Sequence, residues 1–365
     1  MTTAAQVTAQ LLQGHQLAPE SVYLELDGYV VALKSNSEKL LQHLQQYFSH
    51  VVTDGGPADI EVICIDSEVT DSGFDFIDWK REPGKTGRKD AYHDLEDARL
   101  VLKVRTGMLF LQHEKHRIAV GPCNEYDNQV INFINAQYMN WLQQNHALIC
   151  HASGLVVNDK CMGIAGFSGG GKSTLMLHMM DDDSVHYLTN DRLFLSRKDN
   201  TVEATGIPKL PRINPGTIVN NPRLKPILDE QRCEELLAMP KEQLWHLEEK
   251  YDVDVEQVYG KGKIVTRQCM DSFLILNWSF KSDTPCSVNR VNISQRPELL
   301  KAVMKSPGPF YQFSDGRFFE DNMELPATDY MDYLQDLTIF EATGKVDFKY
   351  ASDFCLQWLK HGESG

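Results

Sequence analysis

Several familiar features are missing from this sequence. Its eight cysteines (Cys64, Cys123, Cys150, Cys161, Cys233, Cys269, Cys286 and Cys355) include no CxxC pair, so neither a zinc knuckle nor a redox dithiol is indicated. They read as buried or neutral thiols of a reducing compartment. The opening stretch MTTAAQVTAQLLQGHQ carries no basic segment and no long apolar run, and does not read as a secretory signal. No window reaches the roughly 18 apolar residues that a spanning helix needs. Positive charge is in deficit, with 36 Lys and Arg against 51 Asp and Glu and a formal net charge of −15. That balance argues against nucleic acid or an anionic membrane as the main partner. Repeats and low-complexity tracts are absent too. A cytoplasmic protein is expected, with any positive site confined to one place.

What is present is globular in character: 365 residues, 42% apolar and 24% charged, enough for one large domain or two ordinary ones. Residues 1–20 read as a short helix or a loose arm. VYLELDGYVVALKS reads as two strands turning at Asp27-Gly28. SNSEKLLQHLQQYF follows as a helix, with Ser35 and Glu38 as its capping box. DIEVICID is a strand. DWKREPGKTGRKDAYHDLEDA is polar and reads as a loop bearing Lys80, Arg81, Lys85, Arg88 and Lys89. It is a solvated loop or a substrate-docking lid. Strands surround Gly107, with a turn at residues 114–116, and residues 129–146 form an amphipathic helix. A boundary near Ala147 separates an N-terminal α+β domain, residues 1–146, from a second domain, residues 147–365. In the latter, two strands turn at residues 158–160, HYLTNDRLFLSR is a strand and TVEATGI another. Five prolines keep residues 208–226 largely irregular. Two charged helical stretches, returning strands and a terminal helix complete the chain.

The most informative stretch is Gly166-Phe-Ser168-Gly169-Gly170-Gly171-Lys172-Ser173, which satisfies G-x-x-x-x-G-K-[ST]. Glycines let successive N–H groups turn inward as an anion nest, and the following helix adds the positive end of its dipole. Lys172 supplies a compact cation for the β- and γ-phosphates, and Ser173 offers a hydroxyl to Mg²⁺. An apolar strand precedes the loop and a helix follows from about Lys172, the context this motif needs. Magnesium also takes a carboxylate. Asp191, in HYLTNDRLFL, is the candidate, with a plain strand-end turn as the alternative. The run Asp181-Asp182-Asp183 reads as a solvated helix stop. His151 opens a strand close to the loop in sequence, either as a site residue or as a satisfied structural histidine.

CHASGLVVNDKCMGIAGFSGGGKSTLMLHM…YLTNDRLFL resembles the HPr serine kinase/phosphorylase catalytic domain and the nucleotide-binding core of phosphoenolpyruvate carboxykinases. GYVVALKSNSEKLLQHLQQYF, NDR and ATGIPKLPRINPGTIVNNPRL resemble the HPr kinase-related proteins, in the branch called HprK-related kinase B. The resemblance implies an α/β (α+β mixed-sheet) chain: a small α+β N-terminal domain, then a carboxykinase-like P-loop kinase core with a C-terminal helical extension. It implies ATP and Mg²⁺, held by Gly166, Ser168, Gly169, Gly170, Gly171, Lys172, Ser173 and Thr174, with Ser173 and Asp191 toward the metal. It implies transfer of the γ-phosphoryl group to a hydroxyl, serine foremost, of a small protein acceptor, and makes a homo-oligomer plausible. In the family the aspartate strand carries two adjacent acids. Here Asn190 replaces one of them, and an amide cannot take a proton. His151 could take that role, Asp191 could do both jobs, or little base catalysis is needed. Lys209 and Arg212 sit where the proline-rich loop could reach the phosphates; Lys261, Lys263 and Arg267 are weaker candidates. Three other readings stay open: a small-metabolite kinase, an ATP-binding switch or assembly factor that transfers nothing, and a carboxykinase-like enzyme.

Overall fold

The computed structural model describes residues 2–69, 72–81, 87–167, 170–247 and 249–362. The chain divides into two compact units, Met1–Asn145 with Pro307–Glu324, and His146–Ser306 with Leu325–Gly365. Residues 307–324, expected in the C-terminal domain, thus belong with the first unit. Both units are mixed-sheet α/β structures, the class expected from the sequence.

In the first unit the sheet order is Val52–Thr53, Val22–Leu26, Tyr29–Ser35, Ile60–Asp66, Arg117–Gly121, Met108–Gln112, Arg99–Lys103, Asp90–Asp94, Ile77–Asp78. Ile60–Asp66 runs parallel to both of its neighbours, and the other pairings are antiparallel. The hairpin at Asp27-Gly28 has φ of 55° and 83° at these two residues, as a two-residue primed turn requires. Met108–Gln112 is buried along its whole length because both faces are covered. Leu109 and Leu111 join Val7 and Leu11 of the helix Ala4–Leu12 in one cluster. Phe110 on the opposite face meets Phe133 at 4.9 Å and Phe310 at 5.5 Å between ring centroids.

One open reading is decided here and two expectations are corrected. Of the two readings of the N-terminal stretch, the short helix holds: Thr3 caps Ala4–Leu12 with a full capping box, and Ala4, Val7 and Leu11 are buried. The cap of Glu38–Tyr47 is Ser37, whose Oγ accepts from Leu40 N at 3.2 Å, while Ser35 ends the preceding strand. The polar stretch after Phe76 is not all loop, since Ile77–Asp78 and Asp90–Asp94 extend the sheet. Two of its cations satisfy local groups: Arg88 pairs with Asp78, and Arg81 donates to Gly87 O. Lys85 lies outside the described residues.

Arg99 explains why residues 307–324 join this unit. Its side chain is 1% exposed, forks onto both oxygens of Asp94 at 2.6 and 3.0 Å, and donates to Phe319 O at 2.7 Å. The guanidinium also lies 4.5 Å from the Tyr92 ring centroid and 4.7 Å from that of Phe318. Arg99→Ala is expected to destabilise this unit by about 3 kcal/mol, chiefly through the unpaired carbonyls and lost ring contacts. Hydrogen exchange checks it: amides of 307–324 should exchange faster, and unchanged protection there would exclude this clamp.

In the second unit the order is Leu148–Cys150, Leu193–Lys198, Thr201–Gly206, Arg267–Leu276, Lys160–Gly166, Ala152–Val157, Val185–Thr189, and Thr338–Thr343 pairs with both Arg267–Leu276 and Ser287–Val291. The pairings of Arg267–Leu276 with Lys160–Gly166 and with Thr338–Thr343 are parallel. Alternation places Met162, Ile164, Leu274 and Leu276 on a face covered by Lys172–Met179 and Phe348–His361. Cys161, Ala165, Phe273 and Ile275 face the other way, against Leu299–Val303 and Tyr330. ALICHASG… forms two strands rather than one before the turn at residues 158–160, and HYLTNDRLFLSR breaks into two at Asn190-Asp191-Arg192. The proline-rich stretch holds a short strand Arg212–Ile213, a helix Pro215–Val219 and a 3₁₀ turn Lys225–Ile227, because prolines at helix starts permit helices that prolines inside would break. Among the described residues, no helix is long and apolar enough to cross a membrane.

Candidate functional site

One feature of strand order assembles the site. Ala152–Val157 lies between Lys160–Gly166 and Val185–Thr189 and is antiparallel to both. Its start therefore coincides with the ends of its neighbours: Ala152 faces Ala165, and Gly154 faces Thr189. His151, Gly166 and the turn after Thr189 are brought to one sheet edge.

The glycine loop leaves that edge. Ser168 and Gly169 lie outside the described residues. Gly171 caps Lys172–Met179 with φ of 83°, a left-handed conformation that suits glycine. A Cβ on Gly171 would also lie 2.6 Å from the Phe348 ring, and one on Gly166 would lie 2.9 Å from Leu276 Cβ. Trp278 Nε1 donates to Gly170 O at 2.8 Å, and Lys172 Nζ donates to Gly166 O at 3.2 Å, across the loop's mouth. Thr174 Oγ1 lies 2.9 Å from Thr217 Oγ1, so its hydroxyl ties the helix to Pro215–Val219. Ser173 is half-buried in the first turn.

At the other strand end, Ser153 Oγ donates to Asn190 O at 2.5 Å, and Thr189 Oγ1 donates to Arg192 O at 2.7 Å. These bonds hold the turn that carries Asp191. His151 Nε2 lies 3.2 Å from Asp191 Oδ1, and Arg192 Nη1 pairs with Asp191 Oδ2. Burial pushes the Asp191 carboxyl upward, but Arg192, the His151 hydrogen bond and the Lys305 charge together hold it well below the usual carboxylate range. Burial, with the charges of Lys172 and Lys305, lowers the His151 pKa against the opposing pull of Asp191. The ring is thus neutral near pH 7; Nε2–H faces the carboxylate and Nδ1 is left as the basic nitrogen. Lys209 is brought down to about 8 by burial first, then by Arg192 and Arg212, against Asp191 and Asp252.

The structure therefore brings His151, Lys172, Asp191 and the sequence candidate Lys209 together, and adds Arg192 and Lys305. Sequence reasoning missed Arg192, although it adjoins Asp191. Nothing local could have found Lys305, which follows a return of the chain: His151 N donates to Val303 O at 2.7 Å, and Cys150 bridges Met304. Asn190 Oδ1 is buried and accepts no hydrogen bond among the described residues. Arg212 Nε lies 3.1 Å from Asp252 Oδ1 as an ion pair, and the Arg212 charge acts on Lys209. Lys263 donates to Asp183 O, and Arg267 lies 3.7 Å from Glu203, so both serve elsewhere. The acidic run serves structure: Asp182 pairs with Lys360, Asp183 with Arg223, and Asp181 accepts from Asn221.

For a metal, the candidate oxygens are the Ser173 hydroxyl, in the first turn after the loop, and Asp191, whose two oxygens already face His151 and Arg192. That donor set suits a hard cation arriving with phosphate and water oxygens of its own, as magnesium commonly does.

No protein-family model matches this sequence, and no curated protein matches it. Among solved structures, an Hpr(Ser) kinase/phosphatase from Coxiella burnetii is similar at 10% identity and a TM-score of 0.29, over 57% of this chain and 88% of that one. At that score the likeness carries no weight of its own.

Proposed function

We propose that the second unit binds the triphosphate tail of ATP with Mg²⁺ and transfers the γ-phosphoryl group to a hydroxyl, serine foremost, of a small protein. The observation that carries this reading is the strand–glycine loop–helix ending in left-handed Gly171 and Lys172, with His151, Asp191 and Arg192 on the same sheet edge. The loop amides and Lys172 hold the phosphates. Ser173 and Asp191 would hold magnesium, which would supply positive charge to offset that of the phosphates. Arg192, Lys209 and Lys305 offset charge on the group in flight. The bond from the γ-phosphorus to ADP breaks as the acceptor oxygen bonds to it. The hydroxyl proton passes to Nδ1 of neutral His151, whose ring Asp191 orients. His151 thereby takes the role that Asn190 cannot. The chemistry asks little of a base in any case, because the transition state is loose.

A second reading, ATP binding without transfer, is favoured by one observation: Asp191 is paired on both oxygens. Incubation with γ-labelled ATP, Mg²⁺ and a cell extract separates the two. A labelled protein band supports transfer, a labelled small molecule replaces the protein acceptor, and binding with no labelled product leaves the switch. Asn190→Asp is expected to keep ATP binding within about threefold and to leave transfer equal or faster; collapse of transfer would show that the amide has a role of its own.

Lys209 makes binding pH-dependent. With its pKa lowered from 10.5 to about 8, it is half-deprotonated at pH 8. A phosphate nearby favours the ammonium form and raises that pKa, so binding takes up protons around pH 8 and weakens as pH rises further. Calorimetry in buffers of different ionisation enthalpy should register this uptake in the wild type and lose it in Lys209→Met. Equal uptake in both would remove Lys209 from the site.

A further inference from the structure

The first unit contains a cavity of about 210 Å³ lined by residues of the helix Asp127–Gln144, of strands and turns, and of 307–324. This is smaller than a typical pocket for drug-sized ligands, which runs about 300–1,000 Å³. Its chemistry is unusual for a structural void. Arg117 lines it, and the residue opposite Arg117 in the sheet is Gln112. Gln112 and Gln137, each 2% exposed, exchange amide hydrogen bonds at 3.2 and 2.8 Å, and Arg117 Nε donates to Gln137 Oε1 at 3.1 Å. That bond fixes the guanidinium plane. Its two terminal nitrogens have no hydrogen bond and no carboxylate partner among the described residues. Burial lowers the Arg117 pKa, with Tyr29 and Glu114 opposing, as expected of a cation short of a counter-charge. A guanidinium nonetheless stays protonated.

The amides around it are oriented as a set. Asn140 Nδ2 donates to Phe310 O at 2.8 Å, Gln144 Nε2 to Gln312 O at 2.8 Å, and Gln312 Nε2 to Gly316 O at 3.0 Å. Each NH₂ is used on a backbone carbonyl, which settles which end is nitrogen. The amide oxygens Asn140 Oδ1, Gln144 Oε1 and Gln312 Oε1 are left without donors among the described residues. Tyr29, stacked on Trp141 at 5.1 Å and 19°, forms an aromatic wall. The lining thus presents one forked cationic donor and several fixed acceptors. Asn140 and Gln312 are buried while Gln144 is exposed, and these oxygens are open to a ligand's donors.

We propose that this cavity is a binding site for a small carboxylate flanked by hydrogen-bond donors, its carboxylate on the Arg117 fork and its amino or hydroxyl groups on the amide oxygens. Bidentate geometry favours a carboxylate over a spherical anion. Glu114, also in the lining, disfavours a second negative charge and adds a partner for an ammonium group. Amino acids and hydroxy acids share this chemistry, and the inference does not depend on the nucleotide site.

The test is calorimetric titration of the full chain with a panel of amino acids, a panel of hydroxy acids, their uncharged amides, and inorganic phosphate. At least one carboxylate series should bind at about 1 mM or tighter, with the responding series identifying the donor groups, and Arg117→Met should weaken it tenfold or more. Should Arg117→Met fail to fold, Arg117→Lys, which keeps the charge and loses the fork, is read by the same criterion. The proposal is overturned if no carboxylate binds, if amides or phosphate bind equally well, or if the folded Arg117 variant binds at wild-type strength.

Discussion

Lys172→Ala is expected to weaken ATP–Mg²⁺ binding by about 100-fold and to bring phosphoryl transfer below detection, while the chain stays folded. Lys172 supplies the compact cation at the mouth of the loop, where its Nζ spans to Gly166 O at 3.2 Å. Losing one preorganised charged donor from such a site typically removes about 10²–10³ in rate. The ammonium is half-buried and the hydrogen bond is its own loop's, so stability should fall by only about 1 kcal/mol. Calorimetry with ATP–Mg²⁺ and a thermal melt read the two quantities separately. Wild-type affinity in the folded variant would remove the loop from the reaction and leave the proposed function without its foundation. Arg192→Ala, by contrast, leaves the phosphate cradle in place and should act on transfer more than on affinity.

The largest effect on the stability of the second unit is expected at Gly206. A Cβ there would sit 2.0 Å from Leu188 O and 2.9 Å from the Leu188 carbonyl carbon. Both are backbone atoms of the strand that leads into Asn190-Asp191, so no rotamer change relieves the overlap. Gly206→Ala should therefore destabilise the second unit by about 3 kcal/mol, lowering Tm by about 5–10 °C. It should also reduce transfer, because the strand end that must give way positions Asp191 against His151. A melt within a degree of wild type would show that the two strands can separate freely there. That outcome would mean the turn is less tightly held than the Ser153 and Thr189 hydrogen bonds indicate.

The legible part of the site was local. A run of glycines ending in Lys172-Ser173 between an apolar strand and an apolar helix announces an anion cradle, because backbone freedom and dipole direction are properties of neighbouring residues. Strand and helix bounds around it, Lys160–Gly166 and Lys172–Met179, fell close to expectation for the same reason. The partner of Arg212 was illegible because a cation in a proline-rich loop gives no hint of it, and Asp252 lies forty residues on across a two-stranded ladder. Lys305 was illegible because its approach to His151 depends on a chain return that no periodicity records. The Ser37 cap was displaced by two residues because Ser35 is the last residue of a strand whose own pairing claims it.

Composition and local pattern alone determined a mixed α/β scaffold and a strand–glycine loop–helix whose backbone suits the proposed phosphate cradle, since those depend on residues within a turn or two of each other. Which side chains stand opposite that cradle was decided only by tertiary structure. An antiparallel strand between two others brings one beginning and two ends to the same edge, and that coincidence is a property of sheet order.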